Sequence, residues 1–367
     1  MEALRPAQSL LRLSAPRRVP RPALISFCQC LHTSSSRCAT PLPHPSVPGP
    51  PPETPTPAAS DALDRVARKR KQAELLKQAQ EIRTTPSKPK TVLQKRFWKD
   101  VSVKQTPDGL QVYLDSRPVR TPTKQILTLP PSKHQLATAI ALEWDLLVSA
   151  QQALKSHYTP MTSLAARALD IEKVDAENKP NVRDDIVRML MRYLTTDTLL
   201  CWAPERNIHD APQDGASLRQ LQMKVAQPII AYLATHVWPG VEIKPILEPD
   251  SILPISQPDM TKEVVRGWLS GLPAFELAGL ERAVLASKSL LVGVRLIHEW
   301  GEAFAQSRAA AAERGRFGIE EAAEASSVEV TWQTGQWGEV EDTHDVEKED
   351  LRRQLGSVVV LVGGDSS

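Results

Sequence analysis

Residues 101–129, VSVKQTPDGLQVYLDSRPVRTPTKQILTL, decide how the chain is divided. Val101 and Val103 lead by alternation into Pro107-Asp108-Gly109, and Leu110, Val112 and Leu114 resume the same period of two beyond that turn. Apolar residues at every second position around a Pro-Asp-Gly corner specify an antiparallel hairpin. Two more short strands are expected, around Val119 and from Ile126 to Leu129, each bounded by proline. Four short strands make a module that needs a covering layer to be stable.

Beyond Pro131 the period changes to that of helices. Ser132 stands where it would cap a run carrying Leu136, Ile140 and Trp144, and further helices are expected over 160–171, 181–194, 214–236, 260–269 and 273–305. Residues 239–258 hold five prolines and read as a long irregular connection. The fold class is therefore α+β, with a small β-rich domain over 91–130 and a larger helical domain over 131–367. Trp98 and Trp144 are expected to anchor the β module to its first covering helix.

Upstream of the hairpin the composition changes. Residues 1–60 contain six Arg, no Lys, two acids and 13 of the 31 prolines, while the chain as a whole carries 45 basic and 43 acidic residues. An Arg-rich, Ser-containing, acid-poor start has the composition of a mitochondrial presequence, assigned to residues 1–40; a disordered basic tail is the other reading. Residues 41–90 read as a Pro-rich linker followed by a charged helix. Its basic run, Arg68 to Lys71, lacks interleaved aromatics, so a solvated helix is expected rather than a nucleic-acid arm. Cys28, Cys30 and Cys38 lie in the leader, which leaves Cys201 alone in the folded part and points to a reducing compartment. The most apolar run, residues 283–297, is short and contains Lys288 and Arg295, so no membrane insertion is expected.

Chemistry is concentrated towards the C-terminus. A helix is expected to run from Gly318 to Gly338, which places Glu329, Gln333 and Trp337 at intervals of four on one face. A carboxylate, an amide and an indole in one stripe suit a recognition surface; the alternative is an amphipathic helix with its Trp residues packed inward and its Glu in water. Glu339, Glu341, Asp342, His344, Asp345, Glu347, Glu349 and Asp350 follow. Their spacing matches neither a calcium loop nor a zinc-helix motif, and Asp345 reads instead as the cap of a last helix buried through Leu351, Leu355, Val358, Val359 and Val362. There is no phosphate-binding glycine loop, no nucleophile elbow and no C-x-x-C. A metal-assisted hydrolase using the acids at 339–350 with His344 stays open as the enzyme alternative. No cofactor is called for.

The succession KRFWKDVSV (95–103), VYLDSRPVRTP (112–122), IALEWD (140–145), MTSLAARALD (161–170), YLTTDTLLCW (193–202), SKSLLVGV (287–294) and SSVEVTWQTGQWGEVEDTHDV (326–346) resembles the mitochondrial chaperone family that captures the α subunit of the F₁-ATP synthase. The resemblance spans about residues 91–363 in order. It implies a soluble matrix protein, not an enzyme, that holds free α subunit until the β subunit replaces it in the α₃β₃ ring. It further implies a partner-binding role for an acid of the penultimate helix. Glu329 matches that position, with Gln333, Trp337, Glu339 and Glu341 as neighbouring candidates. The free protein is expected to be a monomer. Deleting residues 1–60 should leave a folded protein that isolated mitochondria no longer import; import of the truncated chain at full efficiency would remove the targeting assignment.

Overall fold

The computed structural model describes residues 95–177, 181–204, 216–247, 254–309, 316–340 and 342–365, together with residues 70, 71 and 74. The hairpin forms as its alternation requires: β1 (Val101–Thr106) pairs antiparallel with β2 (Gly109–Leu114), in a register that sets Val101 opposite Leu114 and Thr106 opposite Gly109. Gly109 sits at φ +138°, and a Cβ there would collide with the Leu129 carbonyl, so the turn requires glycine. Two-residue strands β3 (Arg117–Pro118) and β4 (Thr128–Leu129) both pair antiparallel with β2. At the β2–β3 turn the Asp115 carboxylate accepts the Lys99 and Asp100 amides, which hold its pKa below the usual carboxylate range.

The sheet is covered by α1 (His134–Leu146), which buries Leu136, Ala137 and Ile140 over β1 and β2. Trp98 joins the two layers. It is 2% exposed, its indole N–H donates to the Trp144 carbonyl at 3.2 Å, and the two rings meet edge to face at 5.5 Å. Trp144, half-buried, passes its own N–H to Thr162 Oγ1 of α2 (Pro160–Ala176) at 3.0 Å. The neighbouring Glu143 takes the Met161 and Thr162 amides, so the N-terminus of α2 is satisfied by a carboxylate from another helix. Burial pushes the Glu143 pKa up against those hydrogen bonds.

The remaining helices are α3 (Asn181–Tyr193), α4 (Leu218–Tyr232, ending in a π turn over Leu233–Val237), α5 (Asp259–Ser270), α6 (Ala274–Ser287), α7 (Leu290–Trp300), the short α8 (Ala305–Ala309), α9 (Ile319–Ser326), α10 (Val328–Trp337) and α11 (His344–Val362). All lie in one compact unit. At its centre α6 packs on α2, α7 and α11. Gly279 lets α6 pack tightly on α11 and α7: a Cβ there would stand 2.6 Å from Val362 Cγ1 and 3.2 Å from Ile297 Cδ1. Every residue of α7 from Leu290 to His298 is buried.

Three expectations need correction. The helix expected over 273–305 is interrupted at Lys288, which adopts φ +59°, and restarts at Ser289, whose side chain accepts the Val292 amide. The restart is held by Asp197, whose carboxylate accepts the amides of Leu199 and Leu291, both at 3.0 Å. Ser132 does not cap α1. It donates to Glu302 Oε2 at 3.0 Å, while Lys133 occupies the cap position and sends its ammonium to the carbonyls of Val362 and Gly363 and to Glu302. The helix expected from residue 214 is described from Leu218, with a Ser217/Gln220 capping box; residues 205–215 lie outside the described residues. The proline-rich connection is irregular as expected where it is described, pinned by Gln257, which bonds both backbone groups of Lys244.

Two consequences can be measured. Trp98→Ala should cost ~3–5 kcal/mol, because it removes a buried indole and orphans the Trp144 carbonyl; a variant melting like its parent would contradict this anchor. Burial raises the Asp197 pKa from 3.8 to about 6 despite its hydrogen bonds. A folded-state value above the unfolded one means that the folded chain holds this proton more tightly. Its contribution is thus most favourable at acid pH and is lost as pH rises through about 6, a swing of about 3 kcal/mol. Asp197→Asn should flatten the urea-stability profile between about pH 4 and pH 7; an unchanged profile would assign that slope to other groups.

Candidate partner-binding surface

The stretch expected as one helix from Gly318 to Gly338 is two. It breaks at Ser327, which lies at φ −120°, ψ 16°. Ser326 and Ser327 turn their hydroxyls back onto the carbonyls of Ala322 and Ala323, both at 2.7 Å, and hydroxyls that engage the helix's own carbonyls in this way favour a bend or an end. The halves differ in character. α9 buries Ala322, Ala323 and Ala325, whereas α10 has no fully buried residue and rests against α4.

On α10 the expected stripe is present. Gln333 Nε2 donates to Glu329 Oε1 at 3.0 Å, Glu329 is exposed, and Trp337 is 69% exposed with its ring edge to face with Trp332. Gln333 itself is half-buried. The inward-packed alternative therefore fails for Trp337, while Trp332 is half-buried. Gly338 ends the helix at φ +85°, its amide bonded to Thr334 O. Val330 and Val340 are 42% and 59% exposed beside the stripe, giving it apolar area as well as polar groups. Glu339 is exposed in the following turn; Glu341 lies outside the described residues.

The acids downstream divide into two sets. Glu349 and Asp350 are held by Arg352 and Arg353, and Arg352 also reaches Glu320 at 2.9 Å, tying α11 to α9. The Arg353 hydrogen bond holds the Asp350 pKa low. Asp342, Asp345 and Glu347 are exposed. Asp345 is not the cap expected of it: it lies inside the first turn of α11, where its charge still suits the helix dipole. The turn is closed instead by His344, whose Nδ1 accepts the Val340 amide at 3.0 Å. Leu355, Val358 and Val362 are buried as expected, with Leu351 and Val359 half-buried. Among the described residues no group of three His, Cys, Asp or Glu side chains could hold a metal ion.

Cys201 lies within the field of this surface. Burial pushes its thiol pKa up, and the carboxylates of Asp197 and then Glu329 add to the shift. One feature of α4, the helix that α10 rests against, was missed from the sequence. An open groove of about 660 Å³ runs along the outer side of α4, lined by Gln220, Met223, Lys224, Gln227, Pro228 and Ala231. The sequence signal was a proline inside a helix on a stripe that mixes apolar and amide side chains.

Comparison with known proteins decides the family. The family described as ATP12 chaperone protein matches residues 95–234. The mitochondrial protein atp12 of Schizosaccharomyces pombe is 30% identical over 267 residues, which are 73% of this chain and 81% of the relative. The chain belongs to the ATP12 chaperone family. Protein ATP12, mitochondrial, of Saccharomyces cerevisiae is 29% identical over 282 residues, covering 72% of this chain and 82% of the relative. The crystal structure of Atp12 from Paracoccus denitrificans is 26% identical and superposes with a TM-score of 0.53, covering 73% of this chain and 96% of that one. The α+β architecture is thus that of ATP12 chaperones. Family membership makes this chain an assembly chaperone of the ATP synthase and not an enzyme, so the hydrolase alternative is set aside. Among the described residues no helix is long and apolar enough to cross a membrane.

Proposed function

We propose that this ATP12-family chain binds the free α subunit of the F₁-ATP synthase through α10 and the turn that follows it, in the mitochondrial matrix, and yields it to the β subunit during ring assembly. Residues 1–40 would direct import, and the free chaperone would be a monomer. The observation that carries the reading is the exposed stripe of α10. Gln333 holds the Glu329 carboxylate and Trp337 stands in solvent, on a helix with no fully buried residue. A helix that contributes so little to the core is not accounted for by stability. An exposed indole next to a positioned carboxylate is the composition of a binding anchor. The Val330 and Val340 side chains beside it suit the apolar interface that an isolated ring subunit exposes. Release needs no nucleotide chemistry, because competition from the β subunit for the same interface suffices.

Glu329→Lys tests the reading. As a surface substitution on α10 it should alter stability by no more than ~0.5 kcal/mol. Binding of purified α subunit should fall by at least about a hundredfold, since a reversed charge at a desolvated contact costs several kcal/mol and each 1.4 kcal/mol is tenfold. Normal binding by a normally folded variant would reject this surface, as would a lowered melting temperature with a proportionate loss of binding.

A further inference from the structure

The outward face of α1 changes character along its length. It is polar at Gln135 and Thr138, both exposed, and becomes apolar at Leu142 and Leu146, which are 58% and 71% exposed. Val148 and Leu154, in the segment that follows, are 74% and 76% exposed. They are held next to the helix end, because Gln152 Oε1 accepts the amides of Val148 and Ser149 and folds the 3₁₀ turn Gln152–Leu154 back towards it. On the other side Arg96 donates to the Asp145 carbonyl at 2.7 Å, which brings Phe97, 62% exposed, to the same end of α1. The buried residues of this region, Trp98, Ile140 and Leu147, already fill the core beneath. Single exposed leucines are ordinary; five large apolar side chains gathered at one helix end are a patch, and such patches mark interaction sites.

The rim of this patch is basic. Lys95, Lys99, Arg117 and Lys155 are exposed around it, with the Arg117 guanidinium 5.9 Å from the centre of the Phe97 ring. Of the nearby acids, Asp145 is paired with Arg96 and Asp115 is occupied by the Lys99 and Asp100 amides, which leaves the exposed Asp100 against four exposed cations. The α10 surface has the opposite sign, with Glu329, Glu339, Asp342, Asp345 and Glu347 exposed. Two apolar areas of opposite charge cannot be alternative seats for one segment, because a flanking charge that suits one is repelled by the other.

We infer that the end of α1, centred on Leu142, Leu146 and Val148, is a second docking surface, and that its occupant is an apolar segment of the client subunit flanked by carboxylates. This rests on the reading that the protein holds an unassembled subunit. It adds that the client is gripped at two places of opposite flanking charge. Contacts at two separated places on one client raise each other's effective concentration, so each can be weak and the complex still persist until a competitor displaces it.

The experiment uses the whole chain and isolated F₁ α subunit, with binding measured for the parent, for Leu142→Glu/Leu146→Glu, for Val148→Asp and for Lys99→Glu/Arg117→Glu. The first two should keep the parental melting midpoint and weaken binding at least about tenfold. The third should weaken it less and reduce its dependence on salt. Val148 lies outside the helix, so it reports even where the double leucine variant is less stable. Parental affinity in the leucine and valine variants would overturn the inference and leave the α10 reading intact. Loss of binding there with normal binding by Glu329→Lys would instead support the α1 surface and reject α10. If the parent forms a concentration-dependent dimer that the leucine variant loses while client affinity is unchanged, the patch serves self-association and the inference is overturned.

Discussion

The ammonium of Lys133 is the contact on which the arrangement of the chain depends. It is almost wholly buried, and it closes the C-terminus of α11 by donating to the carbonyls of Val362 and Gly363 while pairing with Glu302 at 3.1 Å. A buried cation is tolerated only when its donors are satisfied, and removing one partner leaves an uncompensated charge. Lys133 therefore requires the start of α1, the turn after α7 and the end of α11 to be in place together. Asp365 adds a backbone bond to Ser132 beside it. Segments more than 200 residues apart thus meet at one residue. The sheet, through α1, and the last helix are built as one body.

The same device recurs through the molecule. Glu143 of α1 supplies the N-terminus of α2, Asp197 supplies that of α7, and Arg183 of α3 reaches the carbonyls of Ser270 and Leu272 at the end of α5 while paired with Asp175. Helix ends leave unsatisfied amides and carbonyls, and here remote charged side chains satisfy them. Within the recognisable segments IALEWD and YLTTDTLLCW, Glu143 and Asp197 act in this way: they hold the scaffold. The penultimate helix is the exception. It has no fully buried residue, which is why the proposed function gives it a share in meeting the partner.

What was legible in the sequence followed from local physics. The hairpin could be read because Val101, Val103, Leu110, Val112 and Leu114 alternate around a turn that demands glycine, and the Glu329–Gln333–Trp337 stripe because residues four apart share a helix face. The breaks could not. α6 and α7 are separated at Lys288, and although Ser289 caps the second helix locally, its start is also held by Asp197, about 90 residues away. Ser326 and Ser327 carried a weak signal that an otherwise continuous helical period overrode. Asp345 and Ser132 looked like caps because their residue type suits one; the cap positions fall on Thr343 and Lys133, neither of which makes a side-chain cap hydrogen bond. The apolar end of α1 was invisible for a related reason, since Leu142 and Leu146 carry the same helical spacing as core residues and only the packing shows which face is covered.

In the proposed function the scaffold presents α10 to the client subunit. Hydrogen–deuterium exchange of the full chain, alone and with purified α subunit, tests it most directly. Slowed exchange over residues 328–340 is expected on binding, with α6 and α7 equally protected in both states because their amides are already in the core. Unchanged exchange across residues 328–340 in a saturated complex, with new protection elsewhere on the surface, would contradict it.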